Sequence, residues 1–310
     1  MRPPKVLRVS HVGRCVNDLE RARNFYELLG FVVEEVSGGT MYLKGVEESQ
    51  HHSLAIKECG DSGLLYIAFR VTDPEELDIA REYYSSMGYK VYKFSEKAVS
   101  DAIVVEKDPL GFPIALYYDM EYTGDYRMKY YLHRGAPPLR LDHVTIVVPR
   151  REMVDIASKY IVKDLGFLLT EYVEDDHGTI ALFVSKQQKP HDMAIFYMDG
   201  IHGHHHVAYY VRDAKDIFRV ADVLGSAEFY DSIEVGPGRH GAAQAYYFYV
   251  RDPSGGRVEL MTDNYLILDP DKWRPVRWRV SYRGTYDYWG RTHIFTEYFL
   301  KNVLKIMSPI

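Results

Sequence analysis

The sequence lacks several features that would send the search elsewhere. No run of about 18 uninterrupted apolar residues occurs, so a membrane-spanning helix is not expected. The start, MRPPKVLRVSHVG, has no apolar stretch ending in a small-residue cleavage site, so no export signal is expected. Cysteine is nearly absent. Cys15 and Cys59 stand alone, outside any Cys-x-x-Cys or Cys/His finger spacing, which predicts neither a disulfide framework nor a structural zinc and points to a reducing cytoplasm. There is no basic block: 38 Lys and Arg are mixed with 44 Asp and Glu, for a formal charge of -6, so nucleic acid is not an expected partner. Asn and Gln are few, a depletion met in proteins from hot environments.

What is present is ample apolar material, 46% of 310 residues, enough for two domains with their own cores. Tyrosine and histidine are in excess, at 27 and 13.

The chain repeats itself. RVSHVGRCVNDLERARNFYELLGF, residues 8–31, resembles RLDHVTIVVPRREMVDIASKYIVKDLGF, residues 140–167. Each begins with an alternating run that predicts a strand. Each continues with helical spacing and stops at Leu-Gly-Phe, whose glycine suits a helix C-cap. YIAFRVTD at 66–73 matches HVAYYVRD at 206–213, and DPLGFPIALYYD at 108–119 matches DPSGGRVELMTD at 252–263. Each copy halves again into strand, helix and three further apolar runs. The expected fold is therefore α+β, with four βαβββ modules paired into two similar domains. Residues 1–120 form the first domain, 121–139 a Tyr- and Arg-rich linker ending in Gly-Ala-Pro-Pro, 140–263 the second domain, and 264–310 a Trp- and Tyr-rich tail expected to pack back near the site.

The copies differ where chemistry is concerned. The second has His143, His206 and Glu259 where the first has His11, Tyr66 and Ala115. This predicts a metal centre in the second domain and a metal-free first domain. By alternation His143 shares a strand face with Leu141 and Thr145, and His206 one with Ala208 and Tyr210, so both can point inward. In the run His204-His205-His206, alternation leaves His204 and His206 on one face; His206 is chosen because it aligns with Tyr66. Two imidazoles and one carboxylate make the facial set typical of non-haem iron(II), with three positions left for substrate and oxygen. Taken singly, a His or Glu is more often a hydrogen-bonded core residue or a solvated edge, and it is the contrast between the copies that argues otherwise.

GRHGAAQAYYFYVRDPSGGRVE, residues 238–259, resembles the C-terminal signature of type I extradiol dioxygenases of the vicinal oxygen chelate superfamily, the catechol 2,3-dioxygenase and homoprotocatechuate 2,3-dioxygenase group. His240, Phe248-Tyr249, Asp252 to Gly255 and Glu259 fall in the family order. In the tail, Asp269 to Asp271, Trp278 and Trp289-Gly290 resemble the homoprotocatechuate branch more loosely. The resemblance implies a vicinal oxygen chelate (glyoxalase-like) fold and Fe(II), or alternatively Mn(II), on His143, His206 and Glu259. It implies His191 as the residue that moves a proton, and His240 and Tyr249 as hydrogen-bond donors to substrate oxygen. The implied reaction is meta cleavage of a catechol with O2 to a 2-hydroxymuconic semialdehyde-type product, in an enzyme that assembles as a homo-oligomer, expected to be a homotetramer.

The sequence departs from the homoprotocatechuate branch at Val235 and near Tyr286, where that branch carries arginines that bind a substrate carboxylate. A neutral catechol is expected unless Arg239 or Arg283 compensates, with Phe183 and tail aromatics lining its pocket. The alternatives are a carboxylated catechol, a glyoxalase-like isomerase, for which a fourth protein ligand is missing, and a binding protein that sequesters an aromatic molecule.

Overall fold

The computed structural model describes residues 1–309. The first domain runs β1 (Val6–Val16), α1 (Leu19–Leu29), β2 (Val32–Ser37), β3 (Thr40–Lys44), β4 (Leu54–Glu58), β5 (Gly63–Val71), α2 (Glu75–Ser86), β6 (Val91–Phe94), β7 (Ala102–Val105) and β8 (Ile114–Tyr117). The second runs β9 (Arg140–Val148), α3 (Glu152–Ala157), β10 (Leu168–Asp175), β11 (Gly178–Ser185), β12 (Met193–Tyr197), β13 (Gly203–Tyr210), α4 (Ala214–Ser226), β14 (Ile233–Arg239), β15 (Tyr246–Arg251) and β16 (Arg257–Thr262). The tail contributes β17 (Val276–Arg279) and α5 (Glu297–Lys301).

The first sheet has the order β2-β3-β4-β1-β5-β8-β7-β6, and the second repeats it element for element, with β17 added beside β10. In each, a module's first strand sits at the centre, next to the first strand of its sister module.

Local chemistry explains the repeated unit. Asp18 caps α1 by accepting the Arg21 N–H, and Gly30 closes it at φ +95°, a left-handed turn a side chain would strain. Ala22, Phe25, Tyr26 and Leu29 form its buried stripe. In the second copy the segment before Leu-Gly-Phe is longer. The extra length is absorbed as a π-helical stretch, Ser158–Asp164, continuing α3.

Strand alternation separates two environments. Val144, Ile146, Val207, Tyr209, Val258 and Leu260 face one apolar core shared by both domains and all four long helical segments. His143, Thr145, His206, Ala208, Glu259 and Met261, at the alternate positions, face the inside of a funnel formed by the second sheet. The domains are tied by Tyr26 Oη donating to Asp252 (2.9 Å), by Arg14 donating to the Arg257 carbonyl (2.8 Å) and by the Tyr84–Tyr160 hydroxyl pair (2.7 Å). No helix among the described residues is long and apolar enough to cross a membrane.

One expectation fails. Cys15 and Cys59 form a disulfide, with Cα atoms 5.5 Å apart. β1 and β4 run parallel and in register through Cys15↔Lys57, and the Cys59 N–H bonds the Val16 carbonyl, so the pairing of strands remote in sequence brings the thiols together.

Candidate metal centre

The register of the second sheet builds the site. His143 on β9 lies opposite Ala208 on β13, which lies beside Glu259 on β16. His206 pairs with Thr145 across a bulge. Three neighbouring strands thus deliver His143, His206 and Glu259 to one point, with donor atoms all within 4.8 Å of one another. His143 Nε2 is 3.1 Å from Glu259 Oε2, His206 Nε2 is 3.1 Å from the same oxygen, and the two Nε2 atoms are 3.2 Å apart. All three side chains are buried.

The bulge corrects one detail. His204 and His206 do not share a face: His204 turns to Arg14 at the domain boundary, while His205 and His206 both border the funnel cavity. The extra residue between His204 and His206 breaks the alternation.

Electrostatics suit a cation. Burial alone would raise the Glu259 carboxyl, but hydrogen bonds from the surrounding histidines hold it well below the usual carboxylate range. Burial disfavours charge on His143 too, yet bonds to Asp142 and Glu259 outweigh it and lift the imidazole to about 9. His206 is pushed by burial down to about 4, against the pull of Glu259. The cluster thus holds a proton on His143, where a divalent ion would take its place. His143 Nδ1 donates to Asp142 Oδ1 (2.8 Å), which aims Nε2 at the common point, an arrangement usual for metal-bound histidine. Asp142 is itself held by Lys189. Sequence reasoning missed Asp142, whose signal was its place next to His143, and placed Thr145 on the His143 face without its contact to the second histidine, Oγ1 2.9 Å from His206 Nε2.

The residues expected to serve substrate gather around this cluster. The His191 ring lies 4.1 Å from His143, centroid to centroid, tilted at 50° to it, and its buried Nδ1 has no hydrogen-bond partner among the described residues. Burial, then the nearby His143, keeps this ring well below the usual imidazole range, so it is neutral. The neighbouring Asp192 anchors the loop by accepting from the N–H groups of Lys186 (2.5 Å) and Gln187 (3.2 Å), leaving His191 free to face the cavity. His240 Nδ1 donates to the Tyr286 carbonyl (2.5 Å), and its Nε2 lies 2.9 Å from Tyr249 Oη and 3.4 Å from Glu259 Oε1. Burial raises Tyr249 far above its ordinary range, so the phenol keeps its proton. Next to His240, Ala243 and Gln244 adopt positive φ, and the Ala243 N–H is held by the buried Glu171 at 2.9 Å. Gly255 takes φ +89° in the turn that joins β15 to β16.

Two chambers share walls beside the cluster. One, about 60 Å³, is lined by His143, His191, Glu259, Phe183 and Thr285; the other, about 360 Å³, by Ile180, Phe295, Phe299 and Leu300. Phe196, Tyr286, His240 and Tyr249 border both. Among the described residues no Lys or Arg lines either. Arg239 lies over the Tyr246 ring, and Arg283 bonds the Gly290 carbonyl, so neither reaches the cavity. Val235 packs on Tyr247, Tyr249 and Phe299, one layer behind the wall. The tail supplies Thr285, Tyr286, Phe295 and Phe299 and so closes the funnel.

Comparison with known proteins adds an independent line. The profile of the Glyoxalase/Bleomycin resistance protein/Dioxygenase superfamily matches residues 8–116 and 140–260. A manganese-dependent 2,3-dihydroxybiphenyl 1,2-dioxygenase of Geobacillus genomosp. 3 is 30% identical over 294 residues, covering 89% of this chain and 90% of the relative. A metapyrocatechase of Geobacillus stearothermophilus is 27% identical, covering 96% and 93%. Among solved structures, homoprotocatechuate 2,3-dioxygenase of Brevibacterium fuscum in its anaerobic complex with 3,4-dihydroxyphenylacetate superposes with a TM-score of 0.92 at 33% identity, over 99% of this chain and 95% of that one.

Proposed function

Given that the chain belongs to the Glyoxalase/Bleomycin resistance protein/Dioxygenase superfamily, we propose that it is an extradiol ring-cleaving dioxygenase acting on catechol or a neutral substituted catechol. His143, His206 and Glu259 hold the metal, Fe(II) in preference to Mn(II). The observation that carries the reading is the convergence of two imidazoles and one carboxylate at the floor of an aromatic chamber, with a partnerless histidine nitrogen beside them.

When bound, the ion supplies Lewis acidity that favours the deprotonated diol and allows O2 to react with the ring. The protein does the rest. His191, neutral and desolvated, accepts a proton from the substrate diol at Nδ1 and returns it later in the cycle. Tyr249, its proton kept by burial, gives that single O–H to a substrate oxygen, and His240, its Nδ1 engaged by the Tyr286 carbonyl, places Nε2 beside the Tyr249 hydroxyl. Phe183, Phe196 and Tyr286 pack the ring and exclude water. With no cation in the wall, a substrate carboxylate would enter unpaired, which favours neutral catechols.

Exposed apolar side chains on the linker and tail, Tyr131, Leu268 and Trp289 among them, suit a symmetric homo-oligomer, with a tetramer the assembly to look for by sedimentation. The activity itself is tested by loading metal-stripped protein with Fe(II) without oxygen, adding a panel of catechols and admitting air. A yellow product from neutral catechols is expected; no yellow product across the panel would refute the reading.

A further inference from the structure

At the three positions equivalent to the C-terminal cluster, the N-terminal funnel holds His11, Tyr66 and Ala115. His11 lies opposite Ala68 and Ala68 beside Ala115, just as His143 lies opposite Ala208 and Ala208 beside Glu259. By that comparison the first domain lacks a donor set. The structure nevertheless gathers one there, from other positions.

His11, His52 and Glu96 bring their donor atoms within 4.8 Å of one another, the same closeness as the C-terminal trio. His11 Nε2 is 2.8 Å from Glu96 Oε2, and His52 Nε2 is 3.2 Å from Glu96 Oε1. Tyr66 Oη donates to the same carboxylate. The side chains of His11, His52 and Glu96 are 1%, 0% and 4% exposed, so a carboxylate has been buried with two imidazoles and a phenol. Among the described residues neither Lys nor Arg forms an ion pair with it.

The sheet register shows where these donors come from. Val12 pairs with Leu54 as Val144 pairs with Met193, which makes His52, two residues before β4, the counterpart of His191, two residues before β12. Phe94 pairs with Ala102 as Gly238 pairs with Tyr247, so Glu96 is the counterpart of His240. The N-terminal funnel has thus moved its carboxylate from the module's last strand, β8, to the β6–β7 loop, and its second imidazole to the loop before β4. The two outer nitrogens are occupied as in the C-terminal centre. His52 Nδ1 meets His51 Nδ1 at 3.0 Å, as His206 Nδ1 meets His205 Nδ1 at 2.6 Å; His11 Nδ1 faces Oγ of the preceding Ser10 at 3.4 Å, as His143 faces the preceding Asp142. Both Nε2 atoms are thereby left facing the common point.

We propose that the N-terminal domain carries a second site for a divalent first-row transition ion, held by His11, His52 and Glu96, with Tyr66 at its edge. Two imidazole nitrogens select such an ion over magnesium or calcium. An ion would also neutralise the buried carboxylate. Entry is open, because Glu96 and Tyr66 border a cavity of about 690 Å³ that also reaches Tyr42, Lys97 and the Cys15–Cys59 pair.

The test is metal stoichiometry on full-length protein, stripped by chelator and titrated with Co2+, whose d–d absorption reports each bound ion. The wild type should take two ions per chain. His52→Gln and Glu96→Gln should each take one and keep ring-cleavage activity. A His206→Ala/Glu259→Ala double variant should still take one, and lose it when Glu96→Gln is added. One ion in the wild type, unchanged by His52→Gln, would mean that the N-terminal trio is a hydrogen-bonded network only and would overturn the proposal. Should the N-terminal variants fail to fold, the double variant decides the matter: Co2+ must raise its thermal midpoint, and no shift overturns the site.

Discussion

Substrate charge is where the cavity makes its sharpest demand. Phe183, Phe196, Tyr286, Phe295 and Phe299 form the walls, and no Lys or Arg lines either chamber among the described residues. A carboxymethyl group on the ring would be buried without a partner. Leaving a buried charge unpaired costs about 3 kcal/mol or more, and about 1.4 kcal/mol is tenfold in rate, so kcat/KM for 3,4-dihydroxyphenylacetate should fall roughly 100-fold or more below that for catechol. A methyl substituent works the other way, adding about 0.8 kcal/mol of apolar burial, or roughly three- to fourfold in favour of 4-methylcatechol. The assay is initial rate of product colour or oxygen uptake with each substrate on the same Fe(II)-loaded preparation. Tyr286→Arg, which places a guanidinium in the wall, should narrow the ratio by raising the rate on the carboxylate. Equal kcat/KM for the charged and neutral substrates in the wild type would show that the absent cation does not govern selectivity.

Other consequences follow from the same geometry. Asp142→Asn removes the anion that aims His143 and should weaken metal affinity by about 10- to 100-fold, read by competition with a chromophoric chelator. Cys15→Ser/Cys59→Ser opens a cross-link spanning 44 residues, worth at most about 4 kcal/mol by loop entropy; its denaturation midpoint should fall, and reductant should reproduce the shift in the wild type. Asp108, buried in its turn, has its carboxyl raised to about 7 from an ordinary 3.8. The folded chain therefore keeps a proton that the unfolded chain releases, and this group makes stability fall as pH rises through that window. Asp108→Asn should flatten that part of the profile in thermal melts at pH 5 and pH 8, and an unchanged slope would assign it to other groups.

Much of this was legible before any coordinates. The duplication located the strands, because Arg8 to Phe31 and Arg140 to Phe167 share one alternating pattern, and the contrast between copies singled out His143, His206 and Glu259. The features that escaped share a cause: they depend on register between remote strands. Cys15 meets Cys59 through the parallel β1–β4 pairing, which spacing alone does not reveal. His204 left the funnel because a bulge interrupts β13. The N-terminal trio was invisible to a position-by-position comparison because its carboxylate and second histidine occupy loop positions equivalent to His240 and His191. The π-helical stretch after α3 likewise accommodates extra length that periodicity read as ordinary helix.

The most direct measurement compares the wild type with His206→Ala, both stripped and reloaded with Fe(II), for metal bound per chain and for catechol turnover. The account predicts that the variant loses one equivalent of metal and all ring cleavage while retaining the wild-type circular dichroism spectrum. Turnover retained in His206→Ala would contradict the assignment of His143, His206 and Glu259 as the centre that supports the reaction.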